Sequence, residues 1–328
     1  MKSLDDFYVQ GFYHEDIRLL KNLGYEVVLT NKLYHFFFLK YDIAFLYFYK
    51  KSFFSAFIAR LIRHKKVFFT GGIDDLSNEL EASSLRKLIY TLFFLMCYLL
   101  SNGINVVSAS DYKNVSSILL RYNIKSKKVF CFPHSYTINN LDLNLSSKKN
   151  NFVSICWMST VGNVKRKGLD KALIFFSNMY DIYPDSKFYI IGTIGEGTEY
   201  LKGMEVYPKI KDRVFFTGFL DENKKNNFLY QAKFYLQFSK YEGFGLAALE
   251  ANLFKCFILH SGSGGFLNSI DIWGKEINIL NKNVVTKFFN DFNYSNEFHS
   301  FNLRYHLFMN KFSSEERMNS LKMLLNEQ

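Results

Sequence analysis

The sequence predicts an α/β protein built from two parallel sheets in series, each covered by helices. Three observations predict it. Apolar runs of strand length alternate with helical stretches along most of the chain, the pattern of repeated βαβ units. The alternation pauses in a polar stretch, Asn139-Asn140 and then 144–151, and restarts after it. The 328 residues also exceed one ordinary core and suit two domains of about 150 residues each.

In the first half, a helix over 15–23 is ended by Gly24, and a strand follows at 25–29. Further strands are expected at 42–48 and 66–70, the second running into Gly71-Gly72-Ile73-Asp74. A strand at 105–108, a helix near 113–121 and a strand at 128–132 meeting Pro133 close this half. In the second half, strands are expected at 152–157, 187–191, 213–217, 233–238 and 256–260. Helices fall at 169–180, 226–231 and 246–253. Two strands end at Gly192 and Gly218. The expected division is 1–145 for the first domain, 146–305 for the second and a terminal helical segment over 306–328.

The net charge is +11, which favours anionic partners such as phosphorylated small molecules, nucleic acid or an acidic membrane surface. A chain rich in Lys, Asn, Phe, Tyr and Ile also reaches that charge through composition bias. No RNA- or DNA-binding motif is present, so nucleic acid is not an expected partner. Cys97, Cys131, Cys156 and Cys256 are far apart and form no metal-ligand or disulfide pattern. The opening MKSLDD lacks the apolar core of a signal peptide, so a cytoplasmic location is expected. The run 88–100, LIYTLFFLMCYLL, is too short to span a bilayer, which takes roughly 20 residues. It reads as a buried core helix, with a surface-lying helix as the alternative.

In such sheets ligands sit beyond the carboxyl ends of the strands. The most informative residues fall there. After the strand at 233–238 comes Tyr241-Glu242-Gly243-Phe244-Gly245-Leu246, then a helix carrying Glu250 eight positions beyond Glu242. A Gly-x-Gly turn lets backbone approach a ligand, and a helix start offers N–H groups to anionic oxygens. Carboxylates there accept hydrogen bonds from sugar or ribose hydroxyls. The expected arrangement has one carboxylate at the mouth of a cleft and the other inside. Lys165-Arg166-Lys167-Gly168, after the strand at 152–157, is read as opening a helix. It supplies cations suited to a pyrophosphate.

The string from Tyr241 to Ala251 resembles the Glu-x7-Glu signature of retaining glycosyltransferases of family 4. The resemblance implies the GT-B architecture, two Rossmann-like domains facing across a cleft. It implies that Glu242 contacts the donor sugar, that Gly243, Phe244, Gly245 and Leu246 touch sugar and phosphates, and that Glu250 binds the ribose. Lys167-Gly168 matches the family's Lys-Gly. The family's Gly-Arg is replaced by Gly162-Asn163, with Arg166 or Lys165 as substitute. Gly192 resembles part of the family's Gly-rich loop, and Gly218 with Phe219 its element near the base. Gly71, Gly72 and Asp74 resemble an acceptor-side loop. The tail around 312–324 resembles the family's terminal helix, which packs back on the first domain. The implied reaction is metal-independent and needs no cofactor beyond the nucleotide sugar itself. The implied acceptor is a surface polysaccharide or a lipid-linked glycan. A transferase-like protein that binds without turnover is the alternative, and peripheral attachment to an anionic membrane is a further expectation.

Overall fold

The computed structural model describes residues 11–73, 76, 84–136, 147–267, 273–278 and 281–326. The chain clusters into two compact units, one of residues 1–137 with 309–328, the other of residues 138–308.

Unit 1 begins with α1 (Gly11–Asn22) and a short α2 (His35–Phe38). Strand β1 (Ile43–Tyr47) leads into α3 (Tyr49–Phe57), which continues as a π turn over Ile58–Ile62. Then come β2 (Lys66–Thr70), α4 (Ser84–Leu100), β3 (Gly103–Val106), α5 (Ala109–Arg121) and β4 (Val129–Cys131). The four strands are all parallel, in the order β1-β2-β3-β4. Side chains of β2 alternate between two cores, as strand geometry requires. Val67 and Phe69 face Phe94 and Tyr98 of α4, while Phe68 faces Leu19 and Leu20 of α1. Leu321, Leu324 and Leu325 of the last helix join Phe68 in that second cluster.

Unit 2 runs β5 (Lys149–Ile155), α6 (Val161–Lys167), α7 (Leu169–Met179), β6 (Phe188–Ile191), α8 (Glu196–Lys202) and α9 (Tyr207–Ile210). It continues through β7 (Val214–Gly218), α10 (Glu222–Gln231), β8 (Ala232–Gln237), α11 (Leu246–Leu253), β9 (Phe257–His260) and β10 (Gly274–Glu276). Helices α12 (Lys282–Asp291), α13 (Tyr294–Asn302), α14 (Tyr305–Lys311) and α15 (Ser314–Asn326) end the chain, the last of them in unit 1. The sheet is parallel, in the order β10-β9-β8-β5-β6-β7. Its core is aromatic. Phe152 of β5 stacks on Phe234 of β8 at 4.8 Å, with Phe175 and Phe176 of α7 and Phe289 of α12 around them.

Several sequence expectations change. Residues 25–29 form no strand. The amide of Tyr25 is committed to the end of α1, donating to Leu20 O at 3.1 Å, while Gly24 turns the chain at φ +89°. Helix α1 starts at Gly11, four residues before the expected position. The polar stretch 144–151 is not wholly a connection, because 149–151 already belong to β5. Their side chains serve neighbours: Asn150 accepts from Lys233 Nζ at 2.9 Å and Asn151 from the Lys187 amide at 3.1 Å. Helix α4 is buried on one face only. Phe94, Leu95, Cys97 and Tyr98 point inward, while Leu88, Ile89, Leu92, Met96 and Leu99 are exposed.

Candidate donor site

In the sheet of unit 2 the chain leaves β5 toward β6 and β7, then returns to β8 on the other side of β5. Strand order reverses there, so loops after β5 and β8 splay apart at their carboxyl ends, the usual place for a ligand in an open parallel sheet. The loop after β5 leads to α6, and the loop after β8 holds Glu242.

These two loops are joined by backbone contacts. The Lys240 amide donates to Arg166 O at 2.9 Å. The Ser239 hydroxyl donates to Lys167 O at 3.4 Å. Gly168 makes the approach possible. It has φ +66°, and a Cβ there would fall on the Phe238 carbonyl. A third loop closes over the turn. Ser261 Oγ donates to Ser239 O at 2.7 Å, and the Gly265 amide donates to Glu242 O at 2.6 Å. Gly245, at φ +81°, packs so closely on Phe266 that a side chain there has no room.

Glu242 is 6% exposed and Glu250 5%, so both are buried. Each has its own lysine. Lys167 pairs with Glu242 Oε1, which also accepts from Ser239 Oγ at 2.8 Å and Gln237 Nε2 at 2.9 Å. All three donors meet one oxygen. Among the described residues Oε2 of Glu242 receives no hydrogen bond, leaving it to accept from a ligand. Glu250, inside α11, pairs with Lys225 of α10, which also meets Glu222 at 2.9 Å. Burial works against the Lys225 charge, but the two carboxylates outweigh it and its pKa is raised.

The basic triplet closes α6 rather than opening a helix, because Gly168 breaks the chain before α7. Lys165 lies 5.2 Å from the Tyr200 ring centroid. The half-buried Arg166 guanidinium makes no hydrogen bond among the described residues. Cys156, at the end of β5, has its thiol pKa pushed up to about 11 by burial, against the pull of Lys167 and Arg166. Gly192 and Gly218 lie at the ends of β6 and β7, the Gly192 amide donating to Gly218 O at 3.0 Å. Phe219 follows, 70% exposed. Gly243, Phe244 and Leu246 form the turn into α11. In unit 1, Gly71 and Gly72 follow β2, with the ring of Phe48 packed on Gly71 and the amide of Ile73 donating to Asp111 at 3.3 Å. Asp74 lies outside the described residues.

Sequence reasoning missed Gln237 and Lys225. A signal existed for Gln237, a polar residue interrupting the apolar end of β8. Lys225 sits in the polar string DENKKNN, indistinguishable there from a solvated helix face.

A depression lined by Asn150, Tyr183, Ser186 and Lys187 lies at the amino ends of β5 and β6, the edge opposite the carboxylates.

Comparison with known proteins bears on the same segment. Residues 158–283 match the family described as Glycosyl transferases group 1. Over that segment the chain resembles a glycosyltransferase domain. No match was found among the curated proteins. Among solved structures the chain is similar to sucrose-phosphate synthase from Thermosynechococcus elongatus, at 16% identity and TM-score 0.65, over 87% of this chain and 73% of that one. TarM from S. aureus aligns at 16% identity and TM-score 0.64, over 84% of this chain and 54% of TarM. HepE from Anabaena aligns at 13% and 0.64, over 88% and 78%. At such identities the likeness establishes the fold, two parallel α/β sheets in the GT-B architecture.

Proposed function

We propose that the chain is a glycosyltransferase that takes a nucleoside-diphosphate sugar and moves its sugar, with retained anomeric configuration, to a polysaccharide or lipid-linked glycan. The observation that carries this reading is the Glu242 carboxylate, buried and fixed through Oε1 while Oε2 stays available beside a Gly-rich helix start. Oε2 would accept from a donor-sugar hydroxyl, and Glu250 from the ribose. Lys167 and Arg166 would meet the diphosphate and stabilise it as it departs. Gly192, Gly218 and Phe219 would border the base. Residues 146–305 would then form the donor domain and 1–145, with Gly71, Gly72 and Asp74, the acceptor side. TarM was solved with UDP and alpha-GlcNAc-glycerol, and HepE with UDP and glucose, which supports a donor of this class.

In this reading the bond from the anomeric carbon to the diphosphate breaks and the acceptor oxygen bonds to that carbon on the same face. The acceptor proton passes to the departing phosphate oxygen. No enzyme nucleophile, cofactor or metal ion has a part; lysine and arginine charge does the electrostatic work. The enzyme would act in the cytoplasm, at the inner face of the membrane for a lipid-linked acceptor.

Thermal unfolding with UDP, GDP, ADP, CMP and dTDP tests the donor, since a ligand held by the native state raises the melting temperature. The matching nucleotide sugar is then assayed for turnover. Glu242→Ala should lose at least about a hundredfold in kcat, the scale of one lost transition-state contact, while staying folded at the assay temperature. No response to any nucleotide overturns the reading. A nucleotide response without turnover on any acceptor makes the chain a binding protein instead.

A further inference from the structure

Unit 1 carries an apolar surface that its own fold leaves uncovered. On α4, Leu85, Leu88, Ile89, Leu92, Met96 and Leu99 are exposed, from 40% for Met96 to 68% for Leu85. Their spacing places them on one helical face, opposite the buried Phe94, Cys97 and Tyr98. Helix α3 packs beside α4 through Phe53 and Phe93, whose rings are 5.5 Å apart. It adds a second stripe. Phe54, Phe57 and Leu61 are exposed and follow one another at helical spacing. Phe38, at the end of α2, is 80% exposed, and α2 is tied to the π turn by Arg63 donating to Phe37 O at 2.8 Å. Six large side chains on one helix face, beside further exposed aromatic residues, exceed the scattered apolar exposure of an ordinary surface.

The charges around this surface are mostly positive. Between Leu33 and Leu100 the sequence holds nine lysines and arginines against five acids, Asp42, Asp74, Asp75, Glu79 and Glu81, and Asp42 is paired with Lys65 at 3.0 Å. Lys50 and Arg86 converge on the same ring, Tyr90. Lys50 Nζ is 4.0 Å from its centroid, and Arg86 Nε is 3.0 Å from its hydroxyl. Lys50 also continues the stripe of Phe54, Phe57 and Leu61, one turn before Phe54. Cations therefore stand at the border of the apolar stripes.

We infer that the outer face of α3 and α4 docks on an anionic lipid bilayer. A protein partner with an apolar groove would fit the leucines but gives no reason for cations such as Lys50 and Arg86 at the borders of the stripes. A bilayer fits both, with apolar side chains entering the acyl boundary and long cationic ones reaching headgroup phosphates. Among the described residues no helix is long and apolar enough to cross a membrane, and α4, 17 residues long, would lie in the interface plane. This surface lies in unit 1 and does not depend on the donor reading, because vesicle binding is measured without nucleotide.

Flotation of the full chain with phosphatidylcholine vesicles, and with vesicles also containing phosphatidylglycerol, tests the proposal at low and high salt. Wild type should float with the anionic vesicles at low salt and be released by high salt. Each cation removed should weaken partitioning roughly fivefold, so Lys50→Glu/Lys51→Glu should bind at least tenfold less. Leu88→Glu/Leu92→Glu, at exposed positions, should abolish flotation and keep the wild-type melting temperature. Three results overturn the proposal: wild type absent from anionic vesicles at low salt, leucine variants that still float, or a wild-type dimer that Leu88→Glu/Leu92→Glu converts to monomer. The last would make this face a contact between copies.

Discussion

Arg317 of α15 and Asp16 of α1 meet through two parallel hydrogen bonds, Nε to Oδ1 at 2.8 Å and Nη2 to Oδ2 at 2.9 Å. Both side chains are 2% exposed. Tyr47 donates to Asp16 at 3.0 Å, and Arg317 reaches the carbonyls of Phe132 and Pro133. The pair thus ties the last helix to the first and to the end of β4. Burial would raise the Asp16 pKa, but Arg317 outweighs it and the net shift is downward. Its stabilising effect is therefore present above the unfolded carboxyl pKa and lost as pH falls through the folded value.

Removing one member of this pair leaves a buried charge without its partner. Arg317→Met should cost about 3–5 kcal/mol in urea unfolding. Pairing it with Asp16→Asn should cost less than the sum of the single changes, since both remove one interaction. A single variant within about 0.5 kcal/mol of wild type would show that the packing of Leu321, Leu324 and Leu325 holds α15 alone.

Much of this fold was legible because parallel sheets buried on both faces spell their strands as apolar runs. Residues 66–70 and 246–253 coincide with β2 and α11. The segment 25–29 has the same composition, yet its first amide is taken by a helix end, which no local pattern reveals. At the donor site, the Gly-rich turn and both glutamates were readable from one contiguous string. The cations that neutralise those glutamates were readable only in part. Lys167 lies in a distinctive Lys-Gly step, whereas Lys225 reaches Glu250 through tertiary packing of α10 on the sheet. The exposure of one α4 face was equally hidden, because a run apolar on every side does not say which side is covered.

His134 is buried beside Asp16 and Arg317, and burial with the Arg317 charge pushes its pKa down to about 3. Unfolded, it would titrate near 6.5, so the unfolded chain takes up a proton that the folded chain refuses. Unit 1 should lose stability as pH falls from about 6.5 toward 3, by up to about 1.4 kcal/mol per pH unit for this group. His260 in unit 2, lowered to about 4 by burial, acts in the same direction. Melting curves from pH 7.5 to 4.5 should fall more steeply for wild type than for His134→Asn. Parallel slopes would remove His134 as a source of acid sensitivity.

Lys167 neutralises Glu242 and Lys225 neutralises Glu250, but the proposed donor contacts differ. Lys167→Ala should weaken a nucleoside diphosphate at least tenfold more than the corresponding nucleoside, because only the diphosphate carries the charge it meets. Lys225→Met leaves Glu250 buried without its cation and should weaken both ligands alike, through the ribose they share. Calorimetric titration of both ligands into both variants gives four ratios. Equal losses in Lys167→Ala would remove the phosphate role, and a diphosphate-selective loss in Lys225→Met would move that role to Lys225.

Gly168 connects the backbone of the fold to the chemistry of the site. Its φ of +66° alone makes alanine unfavourable by about 1 kcal/mol. The larger effect is steric, since the new Cβ would fall on the Phe238 carbonyl and must push the loop after β8 away from α6. That loop carries Ser239 and Glu242, and its contacts to Arg166 O and Lys167 O hold the lysine within reach of the carboxylate. Gly168→Ala should therefore lower kcat by at least about tenfold, because a shift on the order of 1 Å at a positioned group has that scale of cost or more. Gly203→Ala is the control. That glycine ends α8 at φ −79°, and its nearest neighbours, two helix carbonyls, stand at an ordinary 3.5 Å. Its turnover should stay near wild type. If Gly168→Ala lost stability but kept full kcat at a temperature where it is folded, the two loops would not need their close approach for turnover, and Lys167 would reach Glu242 by side-chain freedom alone.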